Sequence, residues 1–194
     1  CTVKLVNKNL SHLLFNVMSR EQVGMYAVYI STHGNMPDLF RNNPYAGELK
    51  DPLLYDVPEE YKEADSKFAA MLEEAEKYLG YPYVWGGSDP STSFDCSGFV
   101  SWVLVNSGVK DVGRLGATSL YGALTPVRED EARPGDIIFF EGTLGEGVEG
   151  NDGITHCGIY VGDGMMIHCG SPISYADLSR SYWQEHFYGY ARAY

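Results

Sequence analysis

The sequence predicts an α+β fold, in which helical segments come first and a run of antiparallel strands follows. The helical evidence is strongest in EEYKEADSKFAAMLEEAEKYLG, where apolar residues recur with the i, i+3, i+4, i+7 spacing of one helix face: Phe68, Met71, Leu72, Ala75, Tyr78 and Leu79. The strand evidence lies in four apolar runs near the C-terminus: DIIFF at 136–140, THCGIYVG at 155–162, MMIHCG at 165–170 and YGYARAY at 188–194.

Each main element has a local signal for where it begins or ends. We expect the first helix to end at Gly80, since glycine is a common helix C-terminal stop. A second helix is predicted from Cys96, with Asp95 as its N-cap, to about Asn106, stopping near Gly108. The continuous apolar run 136–140 is typical of a central strand.

Residues 1–60 are predicted to form an annex to a domain at residues 61–194. Within the annex, TVKLV favours a short strand, and SREQVGMYAVYISTHG favours a helix that Ser19 and Gln22 begin as a capping box. The segment that follows has several prolines and no clear period, so we expect it to wrap a surface. The acidic, glycine-rich segment EGTLGEGVEGND at 141–152 predicts a mobile loop.

Charge and hydropathy exclude several partners. The 194-residue chain has a net charge of −12 and no basic run, which argues against nucleic acid and anionic membrane surfaces. No apolar run approaches the roughly 20 residues of a transmembrane helix. The sequence begins at Cys1 and shows no signal peptide, so we expect a fragment of a longer precursor, with a lipidated mature N-terminus as the alternative.

Cys96 is one of four cysteines, and its position at a helix N-terminus is the first chemical signal. Exposed backbone N–H groups and the helix dipole stabilise an anion there, and an imidazolium partner lowers a thiol pKa further. We expect the Asp95 carboxylate to turn away from the sulfur and cap the helix. The residues alone leave four roles open for Cys96: nucleophile, metal ligand, half of a disulfide, or small core residue.

Two histidines stand in matched contexts, His156 in THCGIYVG and His168 in MIHCG. A three-residue loop at GDG would place both on one face of a hairpin, with Cys157 and Cys169 on the other face and away from Cys96. Cys96, His156 and His168 then match the nucleophile, base and third group of a catalytic triad.

Other arrangements of these side chains remain possible at this stage. A zinc site built from Cys96, His156 and His168 has suitable ligand types but lacks paired C-x-x-C spacing. A disulfide could join Cys157 and Cys169 across the hairpin, although two small buried residues are the favoured interpretation. The two histidines of the annex, His12 and His33, have no companions at ligand spacing.

The ordered block YPYVWGG…SFDCSGFVSWV…ARPGDIIFF…ITHCGIYVGDGMMIHCG resembles the NlpC family of bacterial cell-wall cysteine peptidases, over roughly residues 61–194. The resemblance implies a papain-like fold, with the Cys96 helix packed on an antiparallel sheet. It assigns Cys96 as nucleophile, His156 as base and His168 as third polar residue. The annex resembles segments found beside such domains on mobile elements of Gram-positive bacteria.

The same resemblance implies a substrate and its contacts. The partner would be a peptidoglycan stem peptide, cut at the bond between γ-D-glutamate and a diamino acid by a secreted or cell-wall-associated enzyme that needs no metal or organic cofactor. The resemblance places the Tyr83 hydroxyl near the sulfur and suggests that Asp95 and Ser97 hold the substrate's free amine. The alternatives are a cell-wall amidase with the same Cys–His chemistry and a binding module without turnover.

Overall fold

The computed structural model describes residues 55–144 and 153–194, and its centre is a six-stranded antiparallel sheet. The helices are α1 (Glu59–Ala64), α2 (Ser66–Glu76), α3 (Cys96–Asn106), α4 (Ala117–Ala123) and α5 (Ser181–Glu185), with a 3-10 turn at Glu129–Glu131. The strands are β1 (Ser88–Asp89), β2 (Ser93–Phe94), β3 (Thr125–Val127), β4 (Ile137–Glu141), β5 (Ile154–Gly162), β6 (Met165–Cys169), β7 (Ile173–Asp177) and β8 (Phe187–Arg192).

Several predictions lie outside the described residues. They concern the strand TVKLV, the helix from Ser19, the surface-wrapping segment up to residue 54, His12 and His33, and most of the acidic loop.

The large sheet has the strand order β3-β8-β4-β5-β6-β7, and every neighbouring pair is antiparallel. The apolar run predicted as a central strand forms β4, which lies between β8 and β5 and is buried from Ile137 to Phe140. The helix predicted from Cys96 is α3, with the predicted bounds. The α+β prediction is therefore confirmed, with the Cys96 helix packed on an antiparallel sheet.

The prediction of a single first helix is wrong, because the structure has two helices, α1 and α2, in that segment. Asp65 has an extended backbone, with φ −141° and ψ 102°, and its side chain accepts hydrogen bonds from the N–H groups of Lys67 and Phe68. Asp65 thus ends α1 and caps α2. The predicted apolar stripe does face the core: Phe68, Met71, Leu72, Ala75 and Tyr78 are buried, and Leu79 is partly buried against them.

Sequence patterns missed the short elements. The β1–β2 hairpin has two residues per strand, and edge strand β3 contains Pro126, which cannot donate to a ladder. Strand β7 pairs with β6 along its whole length, although ISYAD carries little strand signal. Helices α4 and α5 lie among the strands, so the helices do not all precede the sheet.

The hairpin that carries the two histidines has a different turn from the predicted one. Its loop is a two-residue turn at Asp163 and Gly164, both with positive φ, and Gly162 pairs with Met165. Such a loop alone would put the histidines on opposite faces. A bulge at Val161 adds one residue to β5 and restores the even register, so the prediction of a shared face is confirmed.

The two faces of the sheet are covered differently. One face packs against α2 and α3 in the main core cluster, which contains Cys96, Cys157 and Cys169. The other face carries a smaller cluster that includes Phe140, Met166 and the partly buried Trp183. The prediction that Cys157 and Cys169 point away from Cys96 is wrong, because α3 packs on the cysteine face of the hairpin.

Candidate active site

The N-terminus of α3 presents Cys96 at the end of the sheet. Asp95 caps the helix by accepting a hydrogen bond of 2.7 Å from the Gly98 N–H, and Cys96 itself is only 5% exposed. The helix start presses against the preceding turn: the Asp95 N–H donates to the Gly87 carbonyl at 3.0 Å, and a Cβ on Gly98 would overlap that oxygen. The glycines of WGG and CSG therefore allow the close approach that positions the sulfur.

The two predicted histidines are joined directly. His156 Nε2 and His168 Nδ1 are 2.8 Å apart, with the rings almost perpendicular. Burial, and then the charge of His156, hold the pKa of His168 well below its usual value. A neutral His168 accepts at Nδ1 from the Nε2–H of His156, so Nδ1 of His156 is left to serve the sulfur.

Three residues that sequence reasoning did not assign to the site shape the histidine pair. Trp183 stacks on the His156 ring at 5.7 Å and meets the His168 ring edge-on at 5.1 Å. A Cβ on Gly158 would lie 2.9 Å from His168 Cβ, and one on Gly170 would lie 2.8 Å from its Cε1. In the sequence, a glycine directly follows His-Cys in both matched segments, and this repeat could have indicated Gly158 and Gly170. No sequence pattern indicated Trp183.

The Cys96 sulfur has several polar neighbours. Its pKa is lowered well below the usual thiol value, first by a hydrogen bond from the Cys157 thiol and also by the His156 ring, against the opposing effects of burial and Asp95. Burial raises the pKa of Tyr83, and so do the negative charge on Cys96 and a hydrogen bond to its sulfur. Tyr83 therefore stays protonated and can donate to the sulfur.

Asp95 and Ser97 already have partners. Asp95 Oδ2 accepts from the Gly86 N–H at 3.0 Å and pairs with Arg114 Nη2 at 2.5 Å, while Oδ1 accepts from Ser97 Oγ at 3.1 Å. Arg114 Nη1 also donates to Ser97 Oγ at 3.0 Å. Arg114, which sequence reasoning missed, offsets a carboxylate that opposes thiolate formation.

The fold thus brings all six predicted site residues to one end of the sheet: Tyr83, Asp95, Cys96, Ser97, His156 and His168. Cys96, Cys157 and Cys169 are free thiols, so the cross-hairpin disulfide is not formed. Within residues 55–144 and 153–194, no group of three or more His, Cys, Asp or Glu side chains is arranged to hold a metal ion. No helix in the same ranges is long and apolar enough to cross a membrane.

Residues 80–192 match the model of the NlpC/P60 family. The bifunctional muramidase/DL-endopeptidase CwlT of Bacillus subtilis is 44% identical over 126 residues, which cover 64% of this chain and 36% of that protein. The murein DD-endopeptidase MepH of Escherichia coli is 34% identical over 155 residues, covering 77% of this chain and 52% of MepH.

The fold also has solved counterparts. A lipoprotein-like NLP/P60 family protein from Staphylococcus aureus has a TM-score of 0.60 and 32% identity, covering 91% of this chain and 62% of that one. The matched segment spans about a third of CwlT and about half of MepH, so both relatives are considerably longer than the part they share with this chain.

Proposed function

The chain belongs to the NlpC/P60 family, and on this basis we propose that it is a cysteine endopeptidase that cleaves peptidoglycan stem peptides. The observation that carries the proposal is a thiol at a helix N-terminus, served by a His156–His168 pair whose nitrogens are 2.8 Å apart. This arrangement supplies a nucleophile, a base and a group that orients the base.

The bond we propose is the one between γ-D-glutamate and the diamino acid. Support comes from CwlT, the relative named as a DL-endopeptidase, which is 44% identical, whereas MepH, named as a DD-endopeptidase, is 34% identical. A D,D-bond between cross-linked strands is the alternative that the second name suggests, and product analysis separates the two.

The proposed reaction is acyl transfer through a thioester. The Cys96 thiolate attacks the amide carbonyl carbon and forms a C–S bond, while the oxyanion accepts hydrogen bonds from the Cys96 N–H and the Tyr83 hydroxyl. Protonated His156 gives its proton to the departing amine as the C–N bond breaks. Neutral His156 then takes a proton from water, the hydroxide attacks the thioester, and the acid product leaves with the thiolate restored.

His168 would serve this cycle through His156. By accepting the Nε2–H of His156, it selects the tautomer that keeps the Nδ1 lone pair facing the sulfur. When His156 is protonated, the same bond holds the ring in place for proton transfer to the amine. His168 is therefore a positioning residue in this proposal.

Asp95 and Ser97 are proposed to contact the amino end of the substrate. To do so, they must give up their present hydrogen bonds to Arg114. Both side chains are bound to Arg114 and to each other. A substrate ammonium group would replace the guanidinium beside Asp95. A substrate without a free amine would leave Arg114 where it is, so the site could accept stem peptides that are still attached to glycan.

The cellular setting is also a proposal. Peptidoglycan lies outside the cytoplasm, so we propose that the enzyme acts as a secreted or cell-wall-associated protein. We further propose that residues 61–194 form the peptidase domain and residues 1–60 an annex to it.

Digestion of defined muropeptides by the full chain tests the function. Wild type should release products separated at the γ-D-glutamyl bond, identified by mass spectrometry, and Cys96→Ala should release none. Products cut between muramic acid and L-alanine would indicate an amidase instead. Binding of muropeptides by both proteins, with no product from wild type, would replace the peptidase proposal with a binding module.

A further inference from the structure

Three aromatic rings meet on the histidine face of the sheet. The ring centroids of His156 and Trp183 are 5.7 Å apart, those of His168 and Trp183 are 5.1 Å apart, and those of the two histidines are 5.0 Å apart. The three centroids therefore form a nearly equilateral triangle. The indole of Trp183 thus lies beside the hydrogen bond that joins the two histidines and contacts both of them.

The indole meets the two histidines in different orientations. The planes of Trp183 and His156 are inclined by only 26°, so these rings are stacked, whereas Trp183 and His168 are inclined by 84° and meet edge to face. A positive charge over the face of an indole, within about 6 Å of its centroid, is attracted by the quadrupole of the ring, and tryptophan gives the strongest attraction of this kind. The stacked ring belongs to His156, the histidine that must carry a proton in the proposed reaction.

We propose that Trp183 is a positioning residue whose indole stacks on the protonated His156 ring, stabilises its positive charge and keeps it aligned with His168. The inference rests on His156 being the base of the proposed peptidase. It adds to the Cys–His pair an uncharged group that favours the imidazolium form, which His156 needs before it gives a proton to the departing amine. Trp183 acts through His156 and transfers no proton itself.

The fold fixes the position of the indole from both ends of its helix. Trp183 lies in the five-residue helix α5, where its N–H donates to the Arg180 carbonyl at 3.0 Å. Directly after the helix, the Glu141 N–H donates to the His186 carbonyl at 2.9 Å, which ties the end of α5 to β4. Phe140 on β4 also packs against the indole, with 4.7 Å between the ring centroids. The sheet that carries the histidines therefore also sets the position of the indole.

The groups around His156 differ in charge. Among the described residues, the titratable side chains that face it are His168 on β6 and the Cys96 thiol at the start of α3. Burial lowers the pKa of His168 and so keeps it neutral. Phe140 on β4 and Trp183 on α5 contact the His156 ring without carrying a charge. Removing the Cys96 thiol therefore leaves the indole and the hydrogen bond to His168 as the contacts that favour the imidazolium.

The test follows the NMR signal of the His156 Cε1–H group in the full chain as the pH changes. Every protein carries Cys96→Ala, so that no thiolate contributes to the charge on His156, and the signal is assigned by comparison with His156→Gln. The variants are Trp183→Leu, which keeps an apolar cover but removes the aromatic face, and Trp183→Phe, which keeps a smaller face. Tyr188→Leu is the matched control, since it removes a ring that packs on Tyr121 rather than on either histidine.

The titration midpoint of His156 should fall by about half a pH unit to one unit in Trp183→Leu, because the charged ring loses its attraction to the indole. Trp183→Phe should recover part of the loss, and Tyr188→Leu should keep the midpoint. An indole that acted only as an apolar cover would give the opposite sign, since burial disfavours the charged form and its removal would raise the midpoint. A midpoint that rises or stays in place in Trp183→Leu, or that falls as far in Tyr188→Leu, overturns the proposal.

This readout separates the inference from the proposed function, because the NMR titration needs no peptidoglycan. If wild type cleaves no muropeptide but the midpoint falls as expected, the function fails and the role of Trp183 stands. If muropeptides are cleaved and the midpoint does not fall in Trp183→Leu, the function stands and the role of Trp183 fails. Circular dichroism checks that each variant is folded, and if Trp183→Leu is not, Trp183→Phe against Trp183→Met gives the same comparison.

Discussion

The two faces of the sheet supply different halves of the candidate site. The face covered by α3 holds Cys96 with Cys157 and Cys169, in the large apolar core. The opposite face holds the His156–His168 pair beneath Trp183. Strand β5 connects them, because its side chains alternate between the faces and it has a bulge at Thr155, just before His156.

Burial acts on both faces by the same rule but with different results. It disfavours the charged form of any group, so it raises the pKa of Cys157 and Cys169 and lowers that of His168. On the helix face the result is that the Cys157 and Cys169 thiols keep their protons. On the histidine face the result is a neutral imidazole that accepts from His156. Each face thus keeps its buried titratable groups in the neutral form.

His156 is the one histidine that serves the sulfur on the other face, so its removal should have the largest effect. We expect His156→Ala to lower kcat/KM for muropeptide cleavage by about 10³-fold or more, since both proton transfers are lost. Steady-state kinetics on a defined muropeptide measures the loss. His186→Gln, which changes a histidine outside the pair, should stay near wild type. Near-wild-type turnover in His156→Ala would show that the two faces are not coupled through this residue.

His168 acts only within its own face, so its effect should be smaller. We expect His168→Ala to lower kcat by roughly 10²-fold with little change in KM, because the base remains but loses its fixed tautomer. His168→Gln keeps an acceptor oxygen and should recover part of the loss. Equal losses in the two variants would mean that His168 contributes packing rather than a hydrogen bond.

How far the sequence predicts this arrangement depends on the range of each signal. The bounds of α3 follow from the Asp95 cap and the apolar run, and the pairing of His156 with His168 follows from two similar segments flanking one turn. These are local patterns whose geometry is set within about a dozen residues. The prediction that His156 and His168 share a face is correct although the predicted turn is wrong, because the bulge at Val161 preserves the register.

Tertiary packing decides what the sequence did not predict. The alternation of side chains along a strand does not show which face of the hairpin α3 covers. The sequence pattern therefore gave the wrong prediction that Cys157 points away from Cys96. Arg114 reaches Asp95 across 19 positions, and Trp183 reaches His156 from a five-residue helix. The break between α1 and α2 depends on the Asp65 side chain, which caps α2. The apolar residues at helical spacing favoured one continuous helix, so the sequence pattern did not predict this break.

Gly158 lets β5 lie close to His168, because it has no side chain at that contact. Its replacement by alanine would place a Cβ 2.9 Å from His168 Cβ and 3.0 Å from Met166 Sδ, so the ring must shift. We expect Gly158→Ala to lower kcat about tenfold and to destabilise the fold by about 1–3 kcal/mol, the usual cost of overpacking. Gly189→Ala on β8 is the control, since its nearest atom would be 3.9 Å away. Kinetics and urea unfolding that do not distinguish the two variants would contradict this prediction.

The buried neutral state of His168 also predicts a pH-dependent stability. Its folded pKa lies well below the ordinary value of 6.5, so protons bind the unfolded chain more readily. The contribution of His168 is therefore present above about pH 6.5 and is lost as the pH falls, by up to about 1.4 kcal/mol per pH unit. Urea unfolding at about pH 7.5 and pH 5 should show a steeper loss in wild type than in His168→Gln. Equal losses in the two proteins would mean that His168 titrates normally.

The smallest expected effect concerns the charge beside the nucleophile. Arg114 pairs with Asp95, whose negative charge raises the pKa of Cys96. Removing the guanidinium in Arg114→Met leaves that charge uncompensated, although solvent screens it because the Arg114 side chain is 36% exposed. The rate at which iodoacetamide alkylates Cys96 rises with pH as the thiolate forms, and this acid limb should therefore move to higher pH by roughly half a unit, and less in high salt.

Arg128→Met is the matched control, because it removes an arginine from an exposed pair with Asp130 that takes no part in the site. It should leave the alkylation limb in place. If Arg114→Met left the limb in place as well, at low and high salt alike, the thiolate would depend on the contacts of β5 and the helix N-terminus alone. The balance of charge at Asp95 would then matter for substrate binding and not for the nucleophile.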